Sequence, residues 1–199
     1  MQHQSITADN IITAYRSGIF PMARGRYGTM GFFSYEPRAI IPLDNTFKIK
    51  KSLRKIIEDG RFVTTIDTAF EQVIRSCARY DELPNDEIWI SEEMIVLYTE
   101  LHKRAIAHSV ESWKDGELMG GLYGLAIGSV FCGESMFSKA PYASQVALVT
   151  LVEHLRKTGF TLLDAQMESN HLKQFGAYSV TQATYLTMLG RSIEKDCQW

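Results

Sequence analysis

The chain has 199 residues, a formal net charge of −2 and 45% hydrophobic residues, which predicts a globular unit with its own core. Its three cysteines include no CxxC pair, which argues against a disulfide framework or a structural zinc site and indicates a reducing, cytoplasmic location. The first ten residues lack the charged and apolar segments of a secretory leader, and the longest uncharged run, residues 118–133, is too short to span a bilayer.

The small net charge hides an uneven distribution along the chain. Residues 1–62 carry a balance of +5, whereas residues 63–199 carry a balance of −7. This division suggests a basic front end, residues 1–62, that faces an anionic partner, and an acidic remainder, residues 63–199, with another task. Imbalances of this size also arise without a partner, and that alternative stays open at this point.

Four amphipathic patterns predict helices. The first begins after the N-cap Thr7 and ends at Gly18, and the second begins at Asp67. The third begins after Ser91, which is followed by two glutamates that suit a helix N-terminus. The fourth spans Ser144 to Thr158, and a glycine follows it as a C-cap.

Strand-like segments alternate with these helices. Two of them face each other across a short loop at residues 126–128, which predicts a hairpin. The order of helices, then a meander of strands, then a helix leading into a further strand indicates an α+β fold with a mixed sheet. The predicted strands are Phe62–Ile66, Ile106–Trp113, Leu118–Leu125, Ser129–Phe137 and Phe160–Gln166.

Three polar residues interrupt these apolar strands. Asp164 and Gln166 lie two apart and therefore project from the same face, where both are costly unless they find partners. They mark either a strand end near solvent or a functional pair in which a carboxylate orients an amide. Glu134 follows the apolar run Val130–Cys132 and is suited to receive a guanidinium or ammonium group. The five histidines show no metal-binding spacing.

Several blocks of sequence, taken together, resemble the leucyl/phenylalanyl-tRNA–protein transferase family. The central blocks are AHSVESW at 107–113, LMGGLYG at 118–124 and FCGESMFS at 131–138. AYRSGIFPM at 14–22 and SYEPR at 34–38 precede them, and LDAQ at 163–166 and NHLKQFGA at 170–177 follow them. The resemblance covers about residues 11–189, which is nearly the whole chain.

The resemblance implies a small basic N-terminal domain over residues 1–62 and a GNAT-like domain over residues 63–199. It implies an enzyme that transfers Leu, Phe or Met from aminoacyl-tRNA to the N-terminal Arg or Lys of an acceptor protein and so marks that protein for degradation. An aminoacyl ester is already activated, so we expect no metal, no nucleotide and no coenzyme A. The implied partners are charged tRNA and proteins with basic N-termini, with no membrane.

The resemblance also implies roles for individual residues. Asp164 and Gln166 match the catalytic pair, Glu134 matches the carboxylate that engages the acceptor, and Trp89 matches the aromatic that stacks on the terminal adenine. Whether the pair acts as a base or only orients the amine is left open. The aminoacyl pocket is expected at Leu122, Phe131, Leu148 and Leu151. Basic residues expected to contact the tRNA backbone are Arg24, Arg26, Arg38, Lys48, Lys50, Lys51, Arg54 and Lys55.

Two other functions compete with this interpretation. The chain departs from the family pattern at Met22, Ile88, Gln145 and Gln182, which leaves donor preference open and allows a non-catalytic binder of basic N-termini or charged tRNA. A coenzyme A-dependent N-acetyltransferase is a weaker alternative, since no glycine-rich pyrophosphate turn precedes the helix at Ser144. The acceptor proteins and the oligomeric state are not predicted.

Overall fold

The computed structural model describes residues 6–199, so the leader expectation falls partly on residues outside it. The described residues form seven helices and nine strands. In chain order these are α1 (Ala8–Arg16), β1 (Phe20–Ala23), β2 (Met30–Phe33), β3 (Arg38–Ile41), α2 (Lys51–Glu58), β4 (Val63–Ile66), α3 (Phe70–Ala78), α4 (Glu92–Lys103), β5 (Ala107–Lys114), β6 (Glu117–Ile127), β7 (Val130–Ser138), α5 (Ala143–Thr158), β8 (Leu162–Gln166), α6 (Asn170–Lys173), β9 (Tyr178–Val180) and α7 (Gln182–Ile193).

A seven-stranded mixed sheet in the order β4-β5-β6-β7-β8-β3-β9 forms the centre of the molecule. All neighbours are antiparallel except β7 and β8, which run parallel and are connected by α5. Strands β1 and β2 form a separate antiparallel ribbon. The predicted α+β class with a mixed sheet is therefore confirmed.

Helices cover both faces of the large sheet. Successive residues of a strand point to opposite sides, so neighbouring residues of β6 pack against different helices. On one face, Leu122 of β6 packs in a cluster with Leu148 and Leu151 of α5. On the other face, Tyr123 packs in a cluster with residues of α1, α3 and α4, including Phe70. Within residues 6–199, none of the helices combines the length and apolar character that a membrane crossing needs.

Strand β3 lies inside the segment predicted as a separate N-terminal domain. It pairs with β8 on one side and with β9 on the other, so it is an interior strand of the large sheet. The large sheet therefore contains strands from both sides of the predicted boundary at residue 62. This position turns out to be central to the site, since β3 begins with Arg38.

The four predicted helices and five predicted strands are all present, but one predicted cap is wrong. Thr7 caps α1 and Ser91 caps α4 as expected, each accepting a hydrogen bond from the backbone N–H three residues ahead. Asp67 does not cap α3. Its backbone φ is +60°, and its carboxylate accepts hydrogen bonds from His108 and from the Ser109 N–H instead. The strands β1, β2, β3 and β9 have only three or four residues each and were not predicted.

Candidate active site

A cavity opens where the two parallel strands separate. Strands β7 and β8 pair only from Val130 with Leu162 to Cys132 with Asp164, although β7 continues to Ser138. Beyond Cys132 the strands diverge and enclose a cavity of about 490 Å³, which we call the acyl cavity. Clefts between diverging strands are a common place for a site in open α/β sheets.

Two β-bulges place the polar residues of this site. Tyr123 pairs with Ser135 and the next residue pairs with Gly133, so Glu134 is the extra residue in β7. On the other side of the cavity the pairing of β8 with β3 skips Ala165 in the same way. Gln166, the last residue of β8, has φ +51°, in the left-handed region. Bulges bend a strand and redirect its side chains, and here the side chains of Gln166 and Glu134 meet at 3.3 Å although the strands diverge.

Asp164 is held by a buried ion pair. Arg38 Nε donates to Oδ1 at 2.8 Å and Arg38 Nη2 donates to Oδ2 at 2.6 Å, with both side chains fully buried. The Tyr185 hydroxyl donates to Oδ2 at 2.9 Å, and the Gln166 backbone N–H donates to Oδ1 at 3.0 Å. The bidentate geometry is the strong form of this pairing, and it fixes Asp164 in one orientation.

These contacts correct two expectations. Arg38 was predicted to contact the tRNA backbone, but its side chain has 0% exposure and is committed to Asp164, so it cannot reach a phosphate. Asp164 was predicted to orient the Gln166 amide, but it accepts only the backbone N–H of that residue. The Gln166 amide instead donates from Nε2 to Glu134 Oε1 at 3.3 Å.

Glu134 is a half-buried carboxylate on the wall of the acyl cavity. Burial raises its pKa to about 7, and hydrogen bonds from the hydroxyls of Tyr15 and Tyr98 oppose that rise. The Tyr98 hydroxyl donates to Oε2 at 3.2 Å and shares a 2.7 Å hydrogen bond with the Tyr15 hydroxyl. Among residues 6–199, no lysine or arginine forms an ion pair with Glu134. A cation arriving from outside would therefore find a carboxylate that lacks a counter-charge.

The rest of the acyl cavity is mostly apolar. Leu122, Leu148 and Leu151 line it as expected. Phe131 was expected there too, but it is fully buried in the core on the same side of the sheet and is not part of the lining. Its ring stacks on Trp199 at 5.2 Å between centroids, so it supports the sheet behind the cavity.

Trp89 is half-buried and lies outside the acyl cavity, in a neighbouring cleft of about 210 Å³ that we call the Trp89 cleft. Ser135 and Arg79 line both spaces, so the two are adjacent. The expected contact between Trp89 and the terminal adenine stays a prediction. Trp89 does lie next to the acyl cavity, as that contact requires.

The predicted tRNA-binding cations other than Arg38 differ in exposure and in whether a carboxylate already pairs with them. Arg24 is exposed, whereas Arg26 is ion-paired with Glu92 at 2.7 Å and lies over the ring of Tyr80. The remaining five are all exposed on or next to α2: Lys48, Lys50, Lys51, Arg54 and Lys55. Their contact with tRNA stays a prediction.

Sequence reasoning missed four residues of the site. The hydroxyls of Tyr98 and Tyr185 donate to the two carboxylates, and the Tyr15 hydroxyl bonds to that of Tyr98. On their helices all three follow the spacing of ordinary core residues. His171 lines the acyl cavity, and its Nε2 is buried without a hydrogen-bond partner in the described chain. No sequence signal separates these residues from packing residues. Within residues 6–199, no group of three or more His, Cys, Asp or Glu side chains lies close enough together to hold a metal ion.

An apolar cavity beside a carboxylate of raised pKa can hold an acyl group next to a basic nucleophile, which is the requirement of an acyl transfer. Two family models match consecutive parts of the chain: Leucyl/phenylalanyl-tRNA protein transferase N-terminal domain over residues 4–34 and Leucyl/phenylalanyl-tRNA protein transferase over residues 40–190. Both place the chain in the class of aminoacyltransferases. The chain belongs to the leucyl/phenylalanyl-tRNA–protein transferase family, as its sequence motifs predict.

Individual relatives agree with the family models. The leucyl/phenylalanyl-tRNA–protein transferase of Chlorobaculum parvum is 47% identical over 190 residues, covering 96% of this chain and 97% of that protein. The protein of the same name from Paramagnetospirillum magneticum is 48% identical over 189 residues, covering 94% and 90%. Among solved structures, L-PGS from Bacillus licheniformis superposes weakly, with a TM-score of 0.48 and 16% identity over 94% of this chain and 77% of that one.

Proposed function

We propose that the protein transfers Leu, and also Phe or Met, from aminoacyl-tRNA to the N-terminal Arg or Lys of acceptor proteins. The observation that carries this proposal is the acyl cavity, which combines an apolar wall with Glu134, a carboxylate that has no cationic partner in the described chain. The apolar wall fits the donor side chain, and the carboxylate fits the acceptor side chain. The GNAT-like assignment belongs to the same proposal and is supported by the divergence of β7 and β8.

The donor pocket favours unbranched or γ-branched apolar side chains without strict selection. Its wall consists of leucines, among them Leu122, Leu148 and Leu151. An apolar pocket distinguishes side chains that differ by one methylene by only about 1–3 kcal/mol. We therefore expect Leu, Phe and Met donors to be accepted with graded efficiency.

Glu134 accounts for the acceptor preference. A guanidinium or ammonium group beside it would pair with the ionised form and lower the pKa from about 7, so acceptor binding releases a proton at slightly acidic pH. A neutral or acidic side chain could not compensate the buried charge. The KM for the acceptor should therefore rise as the pH falls below 7.

The bond changes are those of ester aminolysis. The acceptor α-amine, neutral in part because its pKa is near 8, attacks the ester carbonyl; the bond from that carbon to the ribose oxygen breaks, and the amine proton passes to the ribose oxygen. An amide oxygen is a hydrogen-bond acceptor and too weak a base to keep a proton at neutral pH. We therefore assign Gln166 to orientation of the amine, with its own amide held by Glu134 at 3.3 Å. The Arg38–Asp164 ion pair positions the backbone of Gln166.

The test is transfer of radiolabelled Leu from Leu-tRNA to short peptides that differ only in their first residue. Label should appear on peptides that begin with Arg or Lys and not on matched peptides that begin with Glu or Ala. E134Q should raise the acceptor KM while leaving donor binding within about twofold. Binding of both substrates without transfer would instead support the non-catalytic alternative, and transfer of an acetyl group from coenzyme A would support the acetyltransferase.

The biological setting is part of the same proposal. Addition of Leu to a basic N-terminus would create a hydrophobic N-terminus and mark the acceptor for degradation. We place the reaction in the cytoplasm, where charged tRNA is available. A cell lacking the protein should retain reporter proteins that begin with Arg and should still degrade otherwise identical reporters that begin with Leu.

A further inference from the structure

We propose that Arg79 and Lys139 form a phosphate-binding site for the 3′-terminal nucleotides of the donor. This proposal rests on the proposed use of aminoacyl-tRNA as the donor. It adds two cations that lie outside the basic N-terminal segment and were not among the expected tRNA contacts. The ligand is the phosphodiester that enters the terminal adenosine, together with the phosphodiester before it.

Arg79 stands where three cavities meet. It lines the acyl cavity and the Trp89 cleft, and it also lines a third space of about 500 Å³ that runs to Phe137, Ser138 and Lys139, which we call the outer cleft. The ribose of a terminal adenosine likewise has three substituents: the acyl group, the base and the 5′-phosphate. If the acyl group occupies the acyl cavity and the base lies on Trp89, the phosphate is left to the outer cleft, next to Arg79.

The backbone conformation of Arg79 indicates that its side chain has a function beyond ending α3. Arg79 is the C-cap of α3, with φ +52° and ψ +39°, a left-handed conformation that glycine adopts without strain. An arginine in this position is less stable than glycine would be, so the side chain needs another explanation. Its Nη2 lies 3.5 Å from the Met136 carbonyl of β7, which holds the guanidinium at the rim of the acyl cavity.

Both cations are free to take an anion. Arg79 and Lys139 are exposed, and within residues 6–199 neither forms an ion pair with a carboxylate. The third cation of the outer cleft, Arg75, is already paired with Glu71 at 2.9 Å and Glu92 at 3.2 Å. Arginine binds phosphate through two parallel N–H groups, and lysine binds it as a point charge.

The outer cleft also contains two carboxylates, Asp81 and Glu82. They oppose phosphate binding, so the cleft as a whole is weakly attractive rather than strongly basic. Variants of the cations and variants of the carboxylates should therefore change phosphate binding in opposite directions. Removal of a cation should weaken binding of the phosphates, and neutralisation of Asp81 and Glu82 should strengthen it.

The test compares two donors that share the same ester but differ in phosphates: leucyl-tRNA and leucyl-adenosine. K139Q should lower kcat/KM for leucyl-tRNA about tenfold and change kcat/KM for leucyl-adenosine less than twofold. R79Q should lower kcat/KM for leucyl-tRNA about tenfold more than it lowers kcat/KM for leucyl-adenosine, since Arg79 also lines the acyl cavity. R79K should restore part of the loss, because it keeps the charge. R191Q removes an exposed cation that lines none of the three cavities and should leave both donors unaffected.

Binding of the trinucleotide CpCpA separates failure of this proposal from failure of the proposed function. Its Kd should rise about tenfold in R79Q, fall in a D81N/E82Q double variant, and depend less steeply on salt in R79Q than in the parent. These shifts would support the site even if the parent transferred no amino acid. An equal loss with both donors, or unchanged CpCpA binding in both cation variants, would overturn it.

Discussion

Replacement of Glu134 by glutamine should stabilise the protein above neutral pH. The pKa of Glu134 is raised to about 7 from its ordinary value of 4.5. Between these two values the folded protein holds a proton that the unfolded chain has released, so stability falls as the pH rises through this window. One pKa unit corresponds to 1.36 kcal/mol, so the ionised carboxylate lowers the free energy of unfolding by about 3 kcal/mol above pH 7. Glutamine has nearly the same shape and cannot ionise.

The assay is urea unfolding of the parent and E134Q at pH 4 and pH 8. The free energy of unfolding of E134Q relative to the parent should increase by about 3 kcal/mol from the lower pH to the higher. D44N is a control with the opposite sign, because hydrogen bonds from Thr46 lower the pKa of Asp44. The parent should be more stable than D44N at pH 8, and this advantage should shrink when the same unfolding is repeated below pH 4. A relative stability of E134Q that is the same at both pH values would refute the assigned burial of Glu134.

Three further predictions concern the residues around the two carboxylates and the donor pocket. Y98F removes a hydrogen bond that lowers the pKa of Glu134, so the midpoint of the acceptor KM profile should move to higher pH; an unchanged midpoint would contradict this contact. R38M leaves Asp164 buried without its cation and should cost about 3–5 kcal/mol in urea unfolding, and a loss below 1 kcal/mol would show that the ion pair is dispensable. L148A enlarges the acyl cavity, so the ratio of kcat/KM for Phe-tRNA to that for Leu-tRNA should rise about tenfold, and a falling ratio would place the donor side chain elsewhere.

The parts of the fold with long, regular patterns were predictable. The run through β7 and the apolar stripe of α5 have a clear period and clear ends, and both predictions are confirmed within a few residues. β3 was not predictable from its own four residues. Its place in the sheet depends on pairing with β8, more than a hundred residues further along the chain.

Three polar residues of the candidate site were predictable from the sequence, but their contacts were not. Asp164, Gln166 and Glu134 stood out because polar groups in apolar strands need partners. The partners themselves came from distant segments, as Arg38 shows. From the sequence, Arg38 is indistinguishable from the exposed cations of residues 1–62, and only the tertiary structure shows that it is buried. The bulge at Glu134 is likewise decided by the pairing of two strands.

The ion pair between Arg38 and Asp164 joins positions 126 residues apart. During synthesis from the N-terminus at about 5–20 residues per second, Arg38 is added to the chain about 6–25 seconds before Asp164. Throughout that interval the central strand order cannot close, because β3 has neither β8 nor β9 to join. The buried ion pair and the candidate site around Asp164 therefore form only after β8 has been made, so the N-terminal segment cannot complete its own part of the sheet alone.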